Sequence, residues 1–341
     1  MTDLVVPPKE LNDVIANCLR DAGLQSDMAE DTAKILTEAD LLGHRTHGLA
    51  MVPTYLDCLG DGSMAKSGQP DVLNERGASA LWDGHKIAGA WLVLRAIEEA
   101  ENMALVYGTG TVVIRRSFHI GCLASYLEAV TRKGLVLLLQ TSAPHAATVA
   151  PHGGKSAVLS PSPLAIGYPT DGEPVLIDIS TSVTSNSFVR KHALEGKKLP
   201  SPWVIAPDGT ATSDPSLSEI ILPLGGLDAG HKGFGMGLMV EALTAGLSAT
   251  GRAEVSPRMG GTVFVQVVDP SAFGGVYEFG TVMGHVTQMC RSADPIDQAS
   301  PVRMPGQAAL QRKSLHLKNG VTVDADLWSA VSQLSNSSKK S

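Results

Sequence analysis

The segment that says most about which folds are possible is Gly108-Thr109-Gly110-Thr111-Val112-Val113-Ile114. Its β-branched run predicts a buried strand, and the helical pattern of residues 90–106 comes shortly before it. A strand beside the pattern Gly-x-Gly-x-x-Gly would predict a Rossmann dinucleotide site. Here Val113 stands where the third glycine belongs, and Gly233-Phe234-Gly235 fails in the same way because Leu238 follows it. A Rossmann domain is therefore not supported.

Helices are predicted at both ends of the chain. Apolar residues at helical spacing follow Pro7-Pro8, and Asp27 with Glu30 resembles a capping box that begins a second helix, which should end at Gly43. Further helices are expected over residues 123–130, after Lys232 and over residues 327–334, and further buried strands over residues 135–139, 175–179 and 263–268. The Pro-rich and Ser-rich residues 200–215 predict a surface excursion.

This order of elements predicts an α+β chain with two regions, for which 341 residues are enough. We expect a helical region of residues 1–77 that is joined in space by residues 225–250 and 285–341. Residues 78–224 with 251–284 should form a central α/β domain.

The composition argues against several classes of function. A net charge of −7 and an aromatic content of 4% do not suit a nucleic-acid-binding surface. No apolar run approaches the length of a membrane span, and residues 1–4 lack the basic start of a signal peptide. The four cysteines are far apart with no Cys-x-x-Cys pair, which is typical of free thiols, so we expect a cytoplasmic protein.

His44 and His47 are three residues apart and could share one face of a helix. Two histidines at that spacing could bind a metal, but no third ligand has the spacing of a zinc motif. One of them could instead be an acid or base, because imidazole titrates near neutrality. Spacing alone favours a structural role for these histidines.

Two further segments have both a chemical and a structural interpretation. Asp178 ends an apolar strand, where a carboxylate could orient an imidazole or simply cap a turn. Gly230-His231-Lys232-Gly233-Phe234-Gly235 is expected to precede a helix, where it would form either an anion site or a flexible hinge.

Taken together, four blocks of sequence resemble the malate/L-lactate dehydrogenase family, whose members bind NAD(P) without a Rossmann fold. They run in family order over nearly the whole chain. The blocks are Gly43-His44-Arg45-Thr46-His47-Gly48 with Pro53 and Tyr55, Ser117-Phe118-His119-Ile120-Gly121 with Ala150-Pro151-His152-Gly153-Gly154, Asp178-Ile179-Ser180-Thr181-Ser182, and Leu222-Pro223-Leu224-Gly225-Gly226 with Gly230-His231-Lys232-Gly233 and Met304-Pro305-Gly306.

The resemblance implies a largely antiparallel sheet that holds NADP or NAD in the central domain. It also implies a homodimer, with the active site near the subunit interface and no metal. The substrate would be a small 2-oxo acid, 2-hydroxy acid or cyclic imino acid, with hydride transferred to or from its C2 atom. By motif position, His47 would be the acid/base and Thr46 and Asp178 its relay partners.

The resemblance also assigns binding residues. The cofactor would be held by His119, Ile120, Gly121, Cys122, Leu123, Ser162, His231, Lys232, Arg303, Met304, Pro305 and Gly306. Met51 and His152 would contact the substrate.

The chain departs from the family pattern where substrate is recognised. Met51 replaces an Arg that grips the substrate carboxylate, and a thioether cannot replace a bidentate cation. Ser185-Asn186-Ser187-Phe188 and Pro161-Ser162-Pro163 replace two further family blocks. Either Arg45, Arg190 or another cation takes over, or the substrate is not a simple 2-oxo acid. A metal-assisted hydrolase using His44 and His47, and an inactive cofactor-binding homologue, are the alternatives.

Overall fold

The computed structural model describes residues 3–253 and 259–337. Its helices are α1 (Pro8–Asp21), α2 (Ser26–Leu42), α3 (Val52–Gly60), α4 (Gly89–Tyr107), α5 (Ala124–Thr131), α6 (Asn186–Leu194), α7 (Gly226–Glu241), α8 (Val276–Arg291), α9 (Gln307–Asn319) and α10 (Ala325–Ser337). Its strands are β1 (Asp3–Val6), β2 (Asp71–Arg76), β3 (Ser79–Asp83), β4 (Thr109–Phe118), β5 (Val136–Ser142), β6 (Leu164–Tyr168), β7 (Val175–Ile179), β8 (Val204–Ile205), β9 (Ala211–Thr212), β10 (Gly260–Val268) and β11 (Val321–Asp324).

A seven-stranded sheet in the order β2-β3-β4-β10-β5-β6-β7 forms the centre of the molecule. Five of its six neighbouring pairs are antiparallel, and β3 with β4 is the parallel pair. Val265 of β10 lies between Val112 of β4 and Leu139 of β5, and all three side chains are fully buried. The predictions of an α+β chain and a largely antiparallel sheet are confirmed.

The glycines of the opening stretch serve the packing of α4 on this sheet. Gly108 ends α4 in the left-handed conformation, with φ at +81°. A Cβ atom on Gly110 would lie 2.2 Å from the carbonyl oxygen of Ala100, so only glycine lets the helix lie this close to β4. The two glycines therefore join a helix to a strand and form no phosphate-binding turn.

The two ends of the described chain lie side by side. β1 and β11 form an antiparallel pair in which Val6 lies opposite Val321. Helix α1 packs against both α2 and α10. The residue boundaries that we expect for the helical region and the central domain stay a prediction.

Three local predictions need correction. Helix α2 begins at Ser26, so Asp27 lies inside its first turn and forms no capping box; its Oδ2 accepts a hydrogen bond from the Trp91 indole at 3.0 Å. Residues 200–215 contain the short hairpin of β8 and β9. Residues 230–235 lie inside α7 and not before it, although a kink at Ala229 places His231 and Lys232 in the first turn after that kink.

Candidate active site

The chain turns sharply at the end of α2 and carries His47 on the turn. Gly43 ends the helix with φ at +90°, and short 3-10 turns follow at Arg45–His47 and Leu49–Met51. The Thr46 hydroxyl Oγ1 lies 3.0 Å from His47 Nδ1. Because Nδ1 has this partner, Nε2 is the ring nitrogen left for a ligand.

His47 faces a cavity of about 370 Å³ that lies at one end of the central sheet. The wall combines imidazole rings, hydroxyl groups, apolar side chains and backbone turns. The residues that line it are His44, His47, Phe118, His119, Ile120, Gly121, Cys122, Leu123, Thr141, Ser142, Ala143, His145, Ala146, Ser160, Pro161, Ser162, Pro163, Asp178, Ser180, Ser185, Asn186, Ser187, Met259, Gly260 and Gly261.

His119 is held in the wall by Tyr55. The Tyr55 hydroxyl lies 2.8 Å from His119 Nδ1, and the His47 and His119 rings stack with their centroids 6.2 Å apart. Burial, with smaller effects of His47 and His145, lowers the pKa of His119 to about 3. His119 is therefore a neutral ring at physiological pH, able to donate or accept one hydrogen bond but unsuited to deliver a proton.

Asp178 is the second-last residue of β7, and its side chain reaches the first turn of α5. Its Oδ2 accepts hydrogen bonds from the Ala124 backbone N–H at 2.8 Å and from the Cys122 thiol at 3.5 Å. Burial, followed by the charge of Asp178, raises the pKa of the Cys122 thiol, so that the proton stays on sulfur. The described contacts give Asp178 no direct hydrogen bond to either His44 or His47.

The charge of Asp178 nevertheless acts on both of those histidines. Burial lowers the pKa of His47, and Asp178 opposes that effect more strongly than His44 adds to it. Burial likewise lowers the pKa of His44, again with Asp178 opposing. Asp178 therefore supports the protonated form of an imidazole that its surroundings would keep neutral.

The structure brings together part of the predicted site. Thr46 contacts His47, and the other residues of this group line the cavity with it: His119, Ile120, Gly121, Cys122, Leu123, Ser162 and Asp178. Gly121 and Ser162 have positive φ angles of 76° and 37°, so tight turns carry these parts of the wall.

The remaining predicted residues lie elsewhere in this chain. Met51 packs against the main core, and the His152 ring lies 5.8 Å from that of His231 on α7. Met304 and Pro305 line a second cavity, of about 640 Å³, and Gly306 packs closely on Leu176. None of the residues named in this paragraph, and neither Lys232 nor Arg303, lines the His47 cavity.

The two arginines considered as substitutes for the missing Arg are paired outside the cavity. Arg45 bonds Asp3 at 3.0 Å, and Arg190 bonds Glu219 at 3.0 Å. Among the described residues that line the cavity, the basic ones are four histidines and the acidic one is Asp178.

His145 is a cavity residue that the sequence did not reveal. Its Nδ1 lies 2.9 Å from the Gly260 carbonyl oxygen, and burial lowers its pKa. No local pattern marks this histidine, because its place depends on the pairing of β5 with β10, which brings distant segments together.

Metal ligation and membrane insertion can be examined over the described ranges. Within residues 3–253 and 259–337, no group of three or more His, Cys, Asp or Glu side chains is arranged to hold a metal ion. In the same ranges no helix combines the length and apolar character needed to cross a bilayer. Cys18, Cys58, Cys122 and Cys290 are free thiols.

The chain matches one family model and is similar to known proteins over nearly its whole length. The family model described as malate/L-lactate dehydrogenase matches residues 6–332. The malate/(S)-sulfolactate dehydrogenase of Methanothermus fervidus is 26% identical, covering 98% of each chain. The Δ1-pyrroline-2-carboxylate reductase of Ancylobacter novellus is 26% identical, covering 92% of each. A dehydrogenase crystal structure from Sinorhizobium meliloti aligns with a TM-score of 0.86 and 28% identity, covering 98% of each chain.

Proposed function

The chain belongs to the malate/L-lactate dehydrogenase family of oxidoreductases, and we propose that it transfers hydride between NADP or NAD and C2 of a small 2-oxo acid, 2-hydroxy acid or cyclic imino acid. The names of the relatives support this substrate class. A malate/(S)-sulfolactate dehydrogenase and a Δ1-pyrroline-2-carboxylate reductase are both similar to this chain over nearly its whole length. Both named substrate types carry a carboxylate beside the carbon that changes oxidation state.

One observation carries the proposal. His47, bonded to Thr46 at 3.0 Å and within the electrostatic reach of Asp178, faces a cavity large enough for a small substrate. Reduction of a C=O or C=N bond at C2 leaves negative charge on oxygen or nitrogen, which a positioned acid can neutralise. In the reverse direction the same imidazole accepts the proton of the alcohol or amine.

In the proposed mechanism each residue has a distinct task. His47 gives the proton from Nε2, Thr46 fixes the ring through Nδ1, and Asp178 stabilises the positive charge that the ring carries before the transfer. Ala124 and Cys122 hold the carboxylate of Asp178 in place.

The cavity walls fit a nicotinamide cofactor. The bound cofactor would supply or accept the hydride. The neutral ring of His119 and the backbone turns at Gly121 and Ser162 offer hydrogen-bonding groups on one wall, beside apolar Ile120 and Leu123. These groups would hold the nicotinamide ring, which is neutral when reduced and cationic when oxidised, without a fixed positive charge opposing it.

The second cavity suits the remainder of a dinucleotide. It contacts β7 at Val175, whereas the His47 cavity contacts β7 at Asp178. We propose that Arg303, Met304, Pro305 and Gly306 hold the far end of the cofactor, and that His231 and Lys232 bind its phosphates.

Met51 and His152 remain proposed substrate contacts, although this single chain does not bring them to the cavity. A homodimer would provide a reason for part of the site to lie apart. Exposed apolar side chains on α8 support a second copy: Tyr277, Val282, Val286 and Met289. Light scattering of the purified protein measures its mass and would reveal a monomer if the dimer proposal fails.

A substrate panel tests the function. The absorbance of reduced nicotinamide would be followed with NADH and NADPH against pyruvate, oxaloacetate, sulfopyruvate, Δ1-pyrroline-2-carboxylate and Δ1-piperideine-2-carboxylate. We expect turnover of at least one of them. Cofactor binding without any turnover would favour the inactive homologue, and no binding of either cofactor would contradict the proposal. The comparisons give no support to a metal-assisted hydrolase.

A further inference from the structure

Asp40 is a buried carboxyl group directly beneath the turn that carries His47. It lies near the end of α2 and is 3% exposed. Its Oδ2 accepts a hydrogen bond from the Leu49 backbone N–H at 2.7 Å. Its own carbonyl oxygen accepts one from the Gly43 N–H at 3.0 Å. Asp40 therefore bonds both ends of the segment 43–49, Gly43 through its backbone and Leu49 through its side chain.

The segment is fitted to this carboxyl group. A Cβ atom on Gly48 would lie 2.1 Å from Asp40 Cγ, so the chain passes over Asp40 in direct contact. Inside the segment, the His47 N–H bonds the His44 carbonyl oxygen at 2.8 Å. The position of the His47 backbone thus depends on the Leu49 end of the segment, which the Asp40 side chain holds.

Burying this carboxyl group costs desolvation free energy, which indicates that the group has a specific role. Burial raises the pKa of Asp40 to about 7, against the smaller opposing effects of the Leu49 N–H and the charge of Arg45. Within the described residues no lysine or arginine side chain hydrogen-bonds it. An apolar side chain at this place would avoid the desolvation cost but would leave the Leu49 N–H without its acceptor.

We propose that Asp40 is a positioning residue for catalysis, holding the segment 43–49 so that His47 points into the cavity. It acts through the Leu49 N–H and through contact with Gly48, and it touches neither substrate nor cofactor. This inference rests on the proposed function for its catalytic part. The hydrogen bond to Leu49 can be tested without any activity measurement.

The experiment compares Asp40→Ala, Asp40→Asn and a control, Asp31→Ala. Asparagine keeps the shape and an oxygen acceptor, whereas alanine removes the acceptor. Asp31 lies on the same helix but bonds Arg95 at 2.8 Å, away from the turn. For each folded variant we would measure kcat, KM, the cofactor Kd and hydrogen exchange of the Leu49 amide.

We expect Asp40→Ala to lower kcat by about tenfold or more, as displacement of a catalytic group does, with cofactor Kd changed less than about threefold. Exchange at Leu49 should accelerate in Asp40→Ala but not in Asp40→Asn, and Asp40→Asn should recover most of the lost kcat. Asp31→Ala should change Tm more than kcat.

Three results would overturn the inference. They are a kcat in Asp40→Ala equal to wild type, an Asp40→Asn variant as slow as Asp40→Ala, or a Leu49 amide that exchanges freely in the wild-type protein. The third needs no variant and decides the matter if Asp40→Ala does not fold. If the Leu49 amide is protected but the wild type turns over none of the substrates, the proposed function alone would be contradicted.

Discussion

Asp178 Oδ2 accepts a hydrogen bond of 2.8 Å from the backbone N–H of Ala124, the first residue of α5. This bond ties the end of β7 to a helix N-terminus, where backbone N–H groups favour a negative charge. The carboxylate is thereby fixed near His44 and His47, whose pKa values it raises against burial.

His47→Asn should abolish most turnover while the cofactor still binds. Removal of a positioned proton donor costs about 10²–10⁴ in rate, and asparagine has no group that titrates near neutrality. Single-turnover kinetics and a cofactor titration measure the two effects separately. His85→Asn, at an exposed position outside the cavity, is the control. Unchanged hydride transfer in His47→Asn would remove this residue from the mechanism.

Asp178→Asn should slow reduction and move its pH dependence. The amide oxygen can still accept from Ala124, but the negative charge that opposes the lowering of the His47 pKa is gone. The pKa of His47 should therefore fall further, so that the rate of reduction declines at a lower pH than in the wild type. Profiles of kcat against pH for both proteins check this. Superimposable profiles would show that Asp178 serves the turn alone.

Lys232→Ala should weaken cofactor binding more than it slows chemistry. A lysine in the first turn after the kink of α7 is suited to a phosphate group, and a hydrogen bond between charged groups is worth roughly 1.5–3 kcal/mol. The expected loss is about tenfold or more in cofactor Kd, measured by fluorescence titration. Lys9→Ala, on the exposed face of α1, is the control. A raised substrate KM at unchanged cofactor Kd would contradict the phosphate assignment.

Met51→Arg should destabilise the protein, and its effect on small 2-oxo acids tests whether position 51 contacts the substrate as proposed. Met51 is partly buried against the main core, where a guanidinium loses hydration, and substitutions of this kind cost roughly 1–3 kcal/mol. Thermal unfolding and kcat/KM for pyruvate measure the two outcomes, with Met51→Leu as the control of similar volume. A tenfold gain in kcat/KM for pyruvate would show that position 51 recognises the substrate carboxylate.

Asp40→Asn should change how stability depends on pH. Burial raises the pKa of Asp40 from its ordinary 3.8 to about 7 in the folded protein, so the folded state binds the proton more tightly than the unfolded state does. Wild-type stability should therefore be lost as pH rises from about 4 to 7, by up to about 4 kcal/mol relative to Asp40→Asn. Denaturant unfolding of both proteins between pH 4 and pH 8 would show this. Parallel curves would argue against the raised pKa.

The local helices and strands, and the resemblance to the family, were predictable from the sequence. The apolar runs of β4, β5, β7 and β10 predicted strands that the structure contains, and Gly43 marked the end of α2. Short-range propensity and hydrophobic periodicity suffice for such features because they depend on neighbouring residues. The motif containing Thr46 and His47 likewise lies within one turn of chain.

Which of these residues contact each other depends on the tertiary fold. Sheet pairing of β10 with β5 sets Gly260 beside His145, and the packing of α3 against the end of β4 sets Tyr55 on His119, 64 positions along the chain. It also left Met51 in the core and paired Arg190 with Glu219. Contacts of this kind depend on strand register and helix packing over the whole chain, and no local pattern of residues encodes them.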